Sequence, residues 1–522
     1  MYKFLKKRNC MLGVLLAGIA ALSSCIENDI PYPRIHADFL KFEVGGQLET
    51  TINTTTKIVS IKLADTVNMK QVRLLSYQIT DSARISPEPG SMLDLTSPKK
   101  FMLSIYQDYE WTVQAEQTVS RSFVVEGQVG SSDINVENHV AVSYVPEGTD
   151  LSVIRIKTLQ LGPSNAVTTP AISGVTDFTA PRKFTVKYHD VTEEWTVYVL
   201  EATNRLTFSR VDSWVSRAYL HGIGIEGADN GFEYRLANTE SWAKVASSAI
   251  TTDGGNFVAE LKGLTPKTSY TARAYSDGEY SGEITFTTGE AVPLSNGSFD
   301  DWYKEGKVWN PWKSGESSFW DTGNKGATTL GESNSYPTDE TATGSGQAAK
   351  LETKFVGLGS IGKLAAGNMF AGQYMKTDGT NGILNFGRPF TSFPTGMRIH
   401  YKYKSATIDY ADDDHASLKG QQDRCNIYIA LTDWSAPLEI RTNPKNRQLI
   451  DINDPNIIAY AAFETHQTAS SYQEKVLTLD YRATDRVPTH ILVVSSASKY
   501  GDFFTGGAGS ILWVDNFELL YE

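Results

Sequence analysis

The feature that most constrains the fold of this chain is a stretch of sequence that occurs twice. Residues 94–101 (DLTSPKKF) match residues 177–184 (DFTAPRKF), and Trp111-Thr-Val further on matches Trp195-Thr-Val. In each copy the proline is followed by alternating apolar and polar residues, a polar turn, and a second alternating run that contains the tryptophan. This pattern predicts a β-hairpin. The repeat distance of about 83 residues is that of a β-sandwich domain rather than that of a solenoid unit.

The repeat predicts two immunoglobulin-like domains, over residues 36–121 and 122–203. Both resemble the tandem β-sandwich modules that are common near the N-termini of bacterial surface lipoproteins. The tryptophan of each copy lies in mid-strand on the apolar side of the alternation. We therefore expect Trp111 and Trp195 in the cores of these domains.

A third domain is predicted over residues 204–290, which resemble a fibronectin type III domain. The resemblance rests mainly on residues 261–270 (LKGLTPKTSY) and on the strand-like residues 271–275 after them. It implies that Tyr270 forms a tyrosine corner, in which the hydroxyl is hydrogen-bonded to nearby backbone, and that Trp214 is an early core residue of the fold. A match of this kind predicts a fold and a spacer, not a chemistry.

The composition agrees with a multidomain, all-β chain and excludes several other classes. The 522 residues are enough for three or four domains. Charged residues make up 21%, too few for a coiled coil, and aromatic residues make up 11%, too many for a disordered chain. The net charge of -12 argues against nucleic acid as a partner, since phosphate binding needs a basic face. Three cysteines are too few for a disulfide framework or a cysteine-based zinc site.

Residues 1–24 have the pattern of a signal peptide, because a cationic start is followed by an apolar run too short for a membrane span. The run ends in Leu22-Ser-Ser-Cys25, which resembles the lipobox of bacterial lipoproteins. The resemblance implies cleavage before Cys25, acylation of its thiol, and contact with the membrane through the lipid anchor only. Residues 25–35 would be a linker, whose acidic start resembles the export signal of some Gram-negative surface lipoproteins. We therefore expect a chain anchored at the outer membrane or cell surface.

The remaining residues, 291–522, are the largest predicted unit. Alternating runs separated by loops of roughly 10–30 residues predict a jelly-roll β-sandwich with long loops. The unit begins with NGSFD at 296–300 and ends with VDNFEL at 514–519, a pairing similar to that of many jelly-roll carbohydrate-binding modules. In those modules the two ends lie side by side and help to hold a structural calcium ion.

A calcium site is expected at the last strand. Strict alternation places Asp515 on the same face as Trp513 and Phe517. A carboxylate on an apolar face is costly unless it is hydrogen-bonded, paired or bound to a metal. One structural Ca²⁺ would satisfy Asp515, with Asp300 or backbone carbonyls completing the ligand shell. The alternative is that Asp515 accepts backbone N–H bonds or pairs with an arginine.

Residues 291–522 also resemble a family called the putative carbohydrate metabolism domain, found in lipoproteins of gut-type bacteria. The resemblance is carried by segments spread over nearly the whole unit: 320–324 (WDTGN), 365–370 (AAGNMF), 384–390 (LNFGRPF), 431–434 (LTDW), 454–459 (DPNIIA), 488–490 (PTH) and 498–507 (SKYGDFFTGG). It implies a carbohydrate-related function and supplies no catalytic residues.

Candidate carbohydrate-binding residues come from the composition of the loops. Sugars stack their C–H faces on aromatic rings, and their hydroxyl groups bind Asp, Asn and Arg side chains. Four tryptophans fall within 19 residues, and polar candidates lie in a Gly-Arg-Pro turn and in a glycine-rich loop before the last strand. The candidates are Trp302, Trp309, Trp312, Trp320, Asp321, Arg388, Trp434 and Asp502. The alternative for each tryptophan is a place in the hydrophobic core.

We expect a surface-anchored lipoprotein whose C-terminal jelly roll binds a polysaccharide or oligosaccharide without catalysis. The three sandwiches before it would be a spacer, and other surface proteins of glycan uptake would be its partners. Two alternatives stay open. A glycoside hydrolase or lyase on the same domain would need a pair of carboxylates in a cleft, and an adhesin that binds protein would need an open apolar patch.

Overall fold

The computed structural model describes residues 36–54, 56–358 and 361–522. The proposed signal peptide, the linker and Cys25 lie outside the described residues. Strands make up 51% of the structure and helices 5%, which confirms the all-β fold class. Within the described ranges no helix has both the length and the apolar character needed to cross a membrane.

The first repeat copy lies in a sandwich of two sheets. Its strands are β1 (Phe39–Val44), β2 (Gln47–Asn53), β3 (Ile58–Leu63), β4 (Val72–Ile79), β5 (Arg84–Ser86), β6 (Met92–Leu93), β7 (Lys99–Ser104) and β8 (Asp108–Gln117). One sheet has the order β1-β4-β6, and the other has the order β2-β3-β8-β7-β5 with β3 and β8 parallel. The hairpin β7–β8 is the one that the alternation predicts, and Trp111 on β8 is fully buried in the core.

The second copy has the same arrangement. Its strands are β9 (Ser122–Val125), β10 (Asp133–Asn135), β11 (Val140–Pro146), β12 (Ile156–Gln160), β13 (Val167–Thr169), β14 (Arg182–Tyr188) and β15 (Val191–Ala202), with 3-10 helices at Leu151–Val153 and Ile172–Gly174. Its larger sheet, β10-β11-β15-β14-β13, repeats the order of β2-β3-β8-β7-β5, including one parallel pair. Trp195 is fully buried in the core, so the prediction is confirmed for the tryptophans of both copies.

The third sandwich contains two sheets, β16-β17-β21-β20 and β19-β18-β22-β23, with β24 paired to β22. Its strands are β16 (Thr207–Ser213), β17 (Arg217–Ile223), β18 (Asn230–Leu236), β19 (Ala243–Lys244), β20 (Ile250–Asp253), β21 (Asn256–Lys262), β22 (Ser269–Ser276), β23 (Glu279–Tyr280) and β24 (Ile284–Thr287), with a 3-10 helix at Ser247–Ala249. The backbone N–H of Thr265 donates to the Tyr270 hydroxyl at 3.0 Å, so the expected tyrosine corner is present.

Trp214 lies outside the core of the third sandwich, so this part of the prediction is wrong. Its ring stacks on Phe393 with the ring centres 5.1 Å apart and contacts Tyr481 with the ring centres 4.2 Å apart. The indole N–H donates to the carbonyl of Thr484 at 3.1 Å. All three partners belong to the C-terminal unit, so Trp214 is a junction residue. Sequence reasoning assigned it by position within one fold and could not see the neighbouring domain.

The C-terminal unit is a larger sandwich. Its elements are β25 (Tyr303–Glu305), β26 (Val308–Asn310), β27 (Trp320–Asp321), α1 (Asn324–Ala327), β28 (Ser335–Thr338), β29 (Ala348–Glu352), β30 (Lys354–Leu358), β31 (Ile361–Ala365), β32 (Asn368–Asp378), β33 (Asn381–Phe386), β34 (Arg388–Pro389), β35 (Gly396–Lys404), β36 (Cys425–Thr432), β37 (Leu438–Arg441), β38 (Ile457–Thr465), β39 (Ala469–Thr478), β40 (Asp480–Tyr481), β41 (His490–Ser496) and β42 (Ile511–Leu520), with 3-10 helices at Asp413–Leu418 and Gly501–Phe503. A nine-stranded sheet, β37-β33-β32-β41-β36-β38-β40 with β27 and β34 at its side, packs on a five-stranded sheet, β28-β29-β42-β35-β39. Two hairpins, β25–β26 and β30–β31, stand apart from these sheets.

The central strands of the nine-stranded sheet are apolar on both faces. On β36, Ile427 and Ile429 point into the core between the two sheets, whereas Tyr428 and Ala430 belong to a second apolar cluster on the outer face. Successive side chains of a strand point to opposite faces, so a continuous apolar run needs cover on both sides. The outer cluster is where the candidate site lies.

The sandwiches do not form a straight stalk. Backbone hydrogen bonds join the second and third sandwiches, for example from Gly130 N–H to the carbonyl of Gly224 at 3.1 Å. At the start of the first sandwich, His36 Nε2 lies 3.9 Å from Asp414 Oδ1 of the C-terminal unit. Three sandwiches in line, each about 30 Å across, would keep these residues far apart. The expectation that the three sandwiches are a spacer is therefore wrong for this structure, because the start of the first sandwich lies beside the C-terminal unit.

Candidate functional site

The candidate site is a cavity of about 170 Å³ on the outer face of the nine-stranded sheet. Its floor is formed by side chains that alternate with the core residues of the same strands. The floor residues are Phe370, Leu384, Phe386, Asn426, Tyr428, Val494 and Ser496. An apolar and aromatic floor with a few polar groups is the usual construction of a small-molecule site.

Four segments form the walls of the cavity. They are α1 with the residues after it, the hairpin β30–β31, the turn between β32 and β33, and the loop after β41. Gly326 in α1 packs closely against β32, since a Cβ atom at this position would lie 2.7 Å from the hydroxyl of Tyr374 on that strand. The Tyr374 hydroxyl is hydrogen-bonded to Thr377 at 2.8 Å, which orders the base of the turn.

Asp502 supplies the acidic group of the site. It lies on the 3-10 helix Gly501–Phe503, which is part of the loop after β41, and it lines the cavity. Burial raises the pKa of the Asp502 carboxyl group, and the charge of Arg447 opposes this effect. Burial also raises the pKa of the Tyr428 hydroxyl well above its ordinary range, and the charge of Asp502 adds to that effect. The two groups are therefore electrostatic neighbours.

Two amide oxygens that line the cavity are hydrogen-bond acceptors without donors. Asn334 is 1% exposed, and its Nδ2 donates to the carbonyl of Ala365 at 3.1 Å, which fixes the orientation of the amide. Within the part of the chain that the structure describes, its Oδ1 has no hydrogen-bond partner, and neither does Oδ1 of Asn426 on the floor. A buried acceptor without a partner is costly. Both oxygens are shielded from solvent, so a donor from a ligand in the cavity would reach them after a local movement of the side chains.

Lys363 on β31 connects three of the walls. Its Nζ donates to Asn381 Oδ1 at 2.8 Å and lies 4.0 Å from the centre of the Phe504 ring. Burial, with a smaller contribution from the charge of Arg447, lowers the pKa of the Lys363 ammonium group. The hairpin, the β32–β33 turn and the loop after β41 are thereby joined through one side chain.

Four of the candidates from the sequence have structural roles. Trp320 is fully buried, with its indole N–H bonded to the carbonyl of Ser295, and Trp434 is 9% exposed, with its indole N–H bonded to Asp454. Asp321 is 2% exposed and accepts the backbone N–H of Tyr374 at 2.8 Å. Side chains held in this way cannot reach a sugar, so the predictions for Trp320, Trp434 and Asp321 are wrong.

Arg388 also has a structural role, so its assignment as a sugar ligand is wrong. Its guanidinium donates to the carbonyl of Phe319 at 2.8 Å, to the hydroxyl of Ser318 at 2.9 Å and to the carbonyl of Gly372. These bonds attach the loop before β27 to the nine-stranded sheet. The sequence shows an arginine in a turn but not the backbone carbonyls that surround it.

The other three tryptophans are half-buried and do not line the cavity. Trp302 packs on the core and donates to the carbonyl of Phe299 at 2.7 Å. Trp309 lies in the hairpin β25–β26, and Trp312 follows it with its ring 5.7 Å from that of Tyr303. Lys325 of α1 lies over Trp312, at 5.9 Å, whereas other residues of α1 line the cavity. Of the three rings, those of Trp309 and Trp312 stay candidates for a separate contact surface.

The reasoning that placed Asp515 on the core face is wrong. β42 contains a β-bulge after Asp515, where Asn516 has φ of +47° and the pairing with β35 shifts by one residue. Core residues are therefore Val514 before the bulge and Phe517 after it, and Asp515 faces outward beneath the residues between β28 and β29. The Asp515 carboxylate accepts the backbone N–H of Ala342 at 2.7 Å.

Asp300 and Asp515 nevertheless lie close together, as the resemblance implies. Burial raises the pKa of Asp515, and the charge of Asp300 adds to the effect. Asp300 accepts the backbone N–H of Gln347 at 2.7 Å, and a Cβ atom on Gly346 would overlap its carboxylate. Two carboxylates beside one loop fit the hard oxygen ligands that Ca²⁺ prefers. Among the described residues no cluster of three or more His, Cys, Asp or Glu could hold a metal ion, so backbone carbonyls or water would supply the other ligands.

Asp502 is the one sequence candidate that lines the cavity, and the remaining cavity residues were missed. A signal for them exists in the sequence. The strands NIYIALT and HILVVSS are apolar at successive positions, which indicates that both faces of the sheet are covered. Polar residues within such runs, such as Asn426, are then candidates for a site on the second face.

Comparisons with known proteins identify two carbohydrate-related segments. Residues 298–520 match the family described as "Putative carbohydrate metabolism domain", which confirms the resemblance of the C-terminal unit. Residues 120–199, the second sandwich, match the family described as "SGBP, N-terminal", in which SGBP stands for surface glycan-binding protein. These matches show a glycan-related surface protein of several all-β domains.

Two solved structures are also similar. One is described as a putative glycoside hydrolase from Bacteroides thetaiotaomicron, with 15% identity, coverage of 94% of this chain and 98% of that chain, and a TM-score of 0.32. The other is described as a putative glycoside hydrolase from Bacteroides vulgatus, with 23% identity, coverage of 43% of this chain and 97% of that chain, and a TM-score of 0.33. No curated protein sequence matches the chain.

Proposed function

We propose that this protein binds glycans at the surface of a Gram-negative bacterium and that the cavity above the nine-stranded sheet is the binding site. The observation that carries the proposal is the combination, in one cavity, of an aromatic floor, the carboxyl group of Asp502 and the polar side chains of Asn334 and Asn426. Sugar hydroxyl groups would form hydrogen bonds with the polar groups, and a sugar C–H face would pack on the aromatic floor. The two carbohydrate-related family matches support the same class of ligand.

Binding is favoured over hydrolysis by the acidic residues of the cavity. Glycosidases use two carboxyl groups roughly 5–10 Å apart. Among the described residues that line the cavity, Asp502 is the single acidic side chain. A protein-binding adhesin is less well supported, since the rings of Trp309 and Trp312 are half-buried and lie beneath lysine side chains rather than forming an open apolar patch.

The direct test is a glycan-binding titration on the full chain, combined with a reducing-sugar assay. We expect binding without turnover, weakened at least ten-fold in Asp502→Asn and unchanged in the control Asp480→Asn, which alters an exposed carboxylate of the same domain. A binding loss in Trp309→Ala or Trp312→Ala with Asp502→Asn unaffected would move the site to the tryptophan surface. Absence of binding across plant, host and microbial glycans would reject the proposal, and release of reducing ends would replace it with hydrolysis.

We also propose that Cys25 is the lipid-attachment residue and that the lipid is the contact with the outer membrane. The lipobox-like sequence before Cys25 supports this. Mass spectrometry of the N-terminal peptide from the membrane fraction should find an acylated Cys25, and Cys25→Ser should release the protein from that fraction. An unmodified Cys25 in membrane-bound protein would contradict the anchor. Other glycan-uptake proteins at the same surface are the proposed partners.

One structural calcium ion is proposed between Asp300 and Asp515. A divalent cation there would relieve the repulsion between two carboxylates that one loop holds together. Its role would be to stabilise the contact between the two ends of the domain, at a distance from the cavity.

A further inference from the structure

We infer that the cavity holds one neutral sugar residue at the end of a glycan chain and does not bind the middle of a chain. This rests on the proposed function, because it specifies which part of a glycan the same cavity recognises. Three observations carry it: the closed wall, the volume, and the kind of hydrogen-bonding group that the cavity leaves unpaired.

Among the described residues, the side chain of Lys363 bridges two of the spaces between the walls through which a glycan chain could continue. Lys363 bonds Asn381 at 2.8 Å across the space between the hairpin β30–β31 and the β32–β33 turn. The same side chain lies over Phe504 and so closes the space between the hairpin and the loop after β41. The turn is fixed on its other side, where Gly382 N–H donates to the hydroxyl of Thr442 at 2.9 Å. A polysaccharide bound along its length needs a groove that is open at two ends, and these contacts obstruct such a path.

The volume is that of a single ring. The cavity measures about 170 Å³, below the roughly 300–1,000 Å³ of sites for drug-sized ligands. An engineered cavity of about 150 Å³ in another protein holds one benzene molecule. One pyranose ring is therefore the natural occupant, and the next sugar of the chain would leave through the mouth of the cavity.

The polar lining favours a donor-rich, uncharged ring. Asn334 and Asn426 each carry an amide oxygen without a donor, and the carboxyl group of Asp502, which lines the same cavity, is a further acceptor. Hydroxyl groups can donate to all three. The described residues that line the cavity include one acid, Asp502, and one base, Lys363, so a charged group on the ring would meet a side chain of its own sign as well as one of the opposite sign, whereas an uncharged ring avoids both conflicts.

The first experiment measures stoichiometry and chain length. The full chain is titrated with a size series of the glycan that binds in the panel above, from the monosaccharide methyl glycoside to the polymer. We expect an affinity that changes less than about three-fold beyond two residues, and a fixed number of proteins per chain end whatever the chain length. A number of bound proteins that rises with chain length would overturn the inference while leaving the proposed function intact. Absence of binding to every member of the series and of the panel would reject the proposed function itself.

The second experiment tests the chemistry of the ring. Methyl glycosides of the same sugar, of its 6-carboxylate and of its 2-amino derivative are compared at pH 7. We expect the neutral sugar to bind at least ten-fold more tightly than both charged forms. Asn426→Leu, which keeps the number and branching of the side-chain heavy atoms and removes the acceptor, should weaken binding of the neutral sugar about ten-fold, whereas Asp480→Asn should not change it. Tighter binding of the carboxylate or of the amine would contradict the assignment, and unchanged melting of the Leu variant separates lost binding from lost folding.

Discussion

Asp502 carries a carboxyl group on the wall of the cavity, where burial raises its pKa above the ordinary value of 3.8. Between 3.8 and the raised pKa, the folded protein holds more protons on this group than the unfolded protein does. The contribution of this group to the free energy of unfolding therefore falls as the pH rises through that interval. Above the raised pKa, the full cost of holding a partly buried carboxylate is present. Such a cost is often accepted at functional sites.

Replacement of Asp502 by asparagine should therefore stabilise the C-terminal domain at pH 7. Each ten-fold change in the acid dissociation constant on folding corresponds to about 1.4 kcal/mol, and the gain should shrink as the pH is lowered towards 3.8, the ordinary pKa of the group. Unfolding of this domain can be followed through labelling of Cys425, which is fully buried in its core and whose thiol pKa burial raises to about 12. Urea unfolding at pH 4 to 8 would measure the difference from wild type. A variant less stable than wild type at pH 7 would show that the carboxylate stabilises the fold instead.

Replacement of Arg388 should instead destabilise the C-terminal domain, because its guanidinium is hydrogen-bonded to backbone carbonyls of neighbouring segments. Substitution by methionine leaves the carbonyls of Phe319 and Gly372 without these donors. We expect a loss of about 2–4 kcal/mol in the free energy of unfolding, read at Cys425 in urea. The matched control is Arg398→Met on the surface of the same domain, where the pairs with Glu474 and Glu518 are exposed and the loss should stay within about 1 kcal/mol. Equal effects of the two variants would mean that Arg388 contributes no more than a surface charge.

The individual site residues were only partly predictable from the sequence. Residue type and a glycine-rich loop led to Asp502 correctly, because polar groups on loops near strand ends often line sites. The same reasoning failed for Trp320 and Arg388, since a sequence does not show whether a tryptophan or an arginine in a loop points at solvent or at the backbone of a neighbouring segment. Asn334 was missed because its unpaired oxygen exists only once α1, β31 and β32 have assembled around it.

The pairing of strands was easier to predict than the site residues, because it follows the alternation of apolar and polar residues. The hairpins β7–β8 and β14–β15 have the pairing that alternation predicts. β42 departs from it because one inserted residue at the bulge reverses the faces of everything after Asn516. A bulge of this kind leaves no clear mark in a single sequence, which is why Asp515 was assigned to the wrong face although its proximity to Asp300 was expected correctly.

The loop beside β42 provides the test of the calcium proposal. If a cation joins Asp300 and Asp515, chelation should lower the melting temperature of the C-terminal domain, because the two carboxylates then repel each other beneath the loop that carries Ala342 and Gln347. A decrease of several degrees is expected, restored by added Ca²⁺ but not by Mg²⁺, whose geometry is less adaptable.

The variant Asp515→Asn should lose the response to chelation, whereas Asp480→Asn should keep it. A melting temperature of the wild-type protein that is the same with and without chelator would reject the calcium proposal. The backbone hydrogen bonds from Ala342 and Gln347 would then be the complete account of how these two carboxylates are satisfied.

For the whole molecule, the number and type of domains could be derived from the sequence, but their arrangement could not. The repeat, the tyrosine corner and the family resemblance each concern residues within one domain. Junctions depend on side chains such as Trp214, which contacts Phe393 and Tyr481 far along the chain. No periodicity links these positions, so the sequence led only to the expectation of a spacer.

The contact between His36 and Asp414 places the first sandwich beside the C-terminal domain, and the distance between these two domains can be measured. A single pair between partly exposed side chains contributes about 0–1 kcal/mol, so the closed arrangement depends on the junctions between successive domains more than on this pair. The backbone bonds at Gly130 and the ring stack at Trp214 are such junctions. We therefore expect the first sandwich to lie beside the C-terminal domain in solution as well.

Spin labels placed at the start of the first sandwich, on Lys41, and in the C-terminal domain, on Asp413, would measure this distance by pulsed electron resonance. The contact between His36 and Asp414 predicts a narrow distribution of distances between the two labels, centred at roughly 20–30 Å, because the labelled positions are only a few residues from the contact. Three sandwiches in line would give a distance of about 90 Å or more. In the variant Asp414→Asn the short distance should persist, because the junctions rather than the ion pair hold the arrangement, whereas Trp214→Ala should broaden the distribution. A long distance in the wild-type chain would restore the extended spacer and place the cavity far from the anchored end.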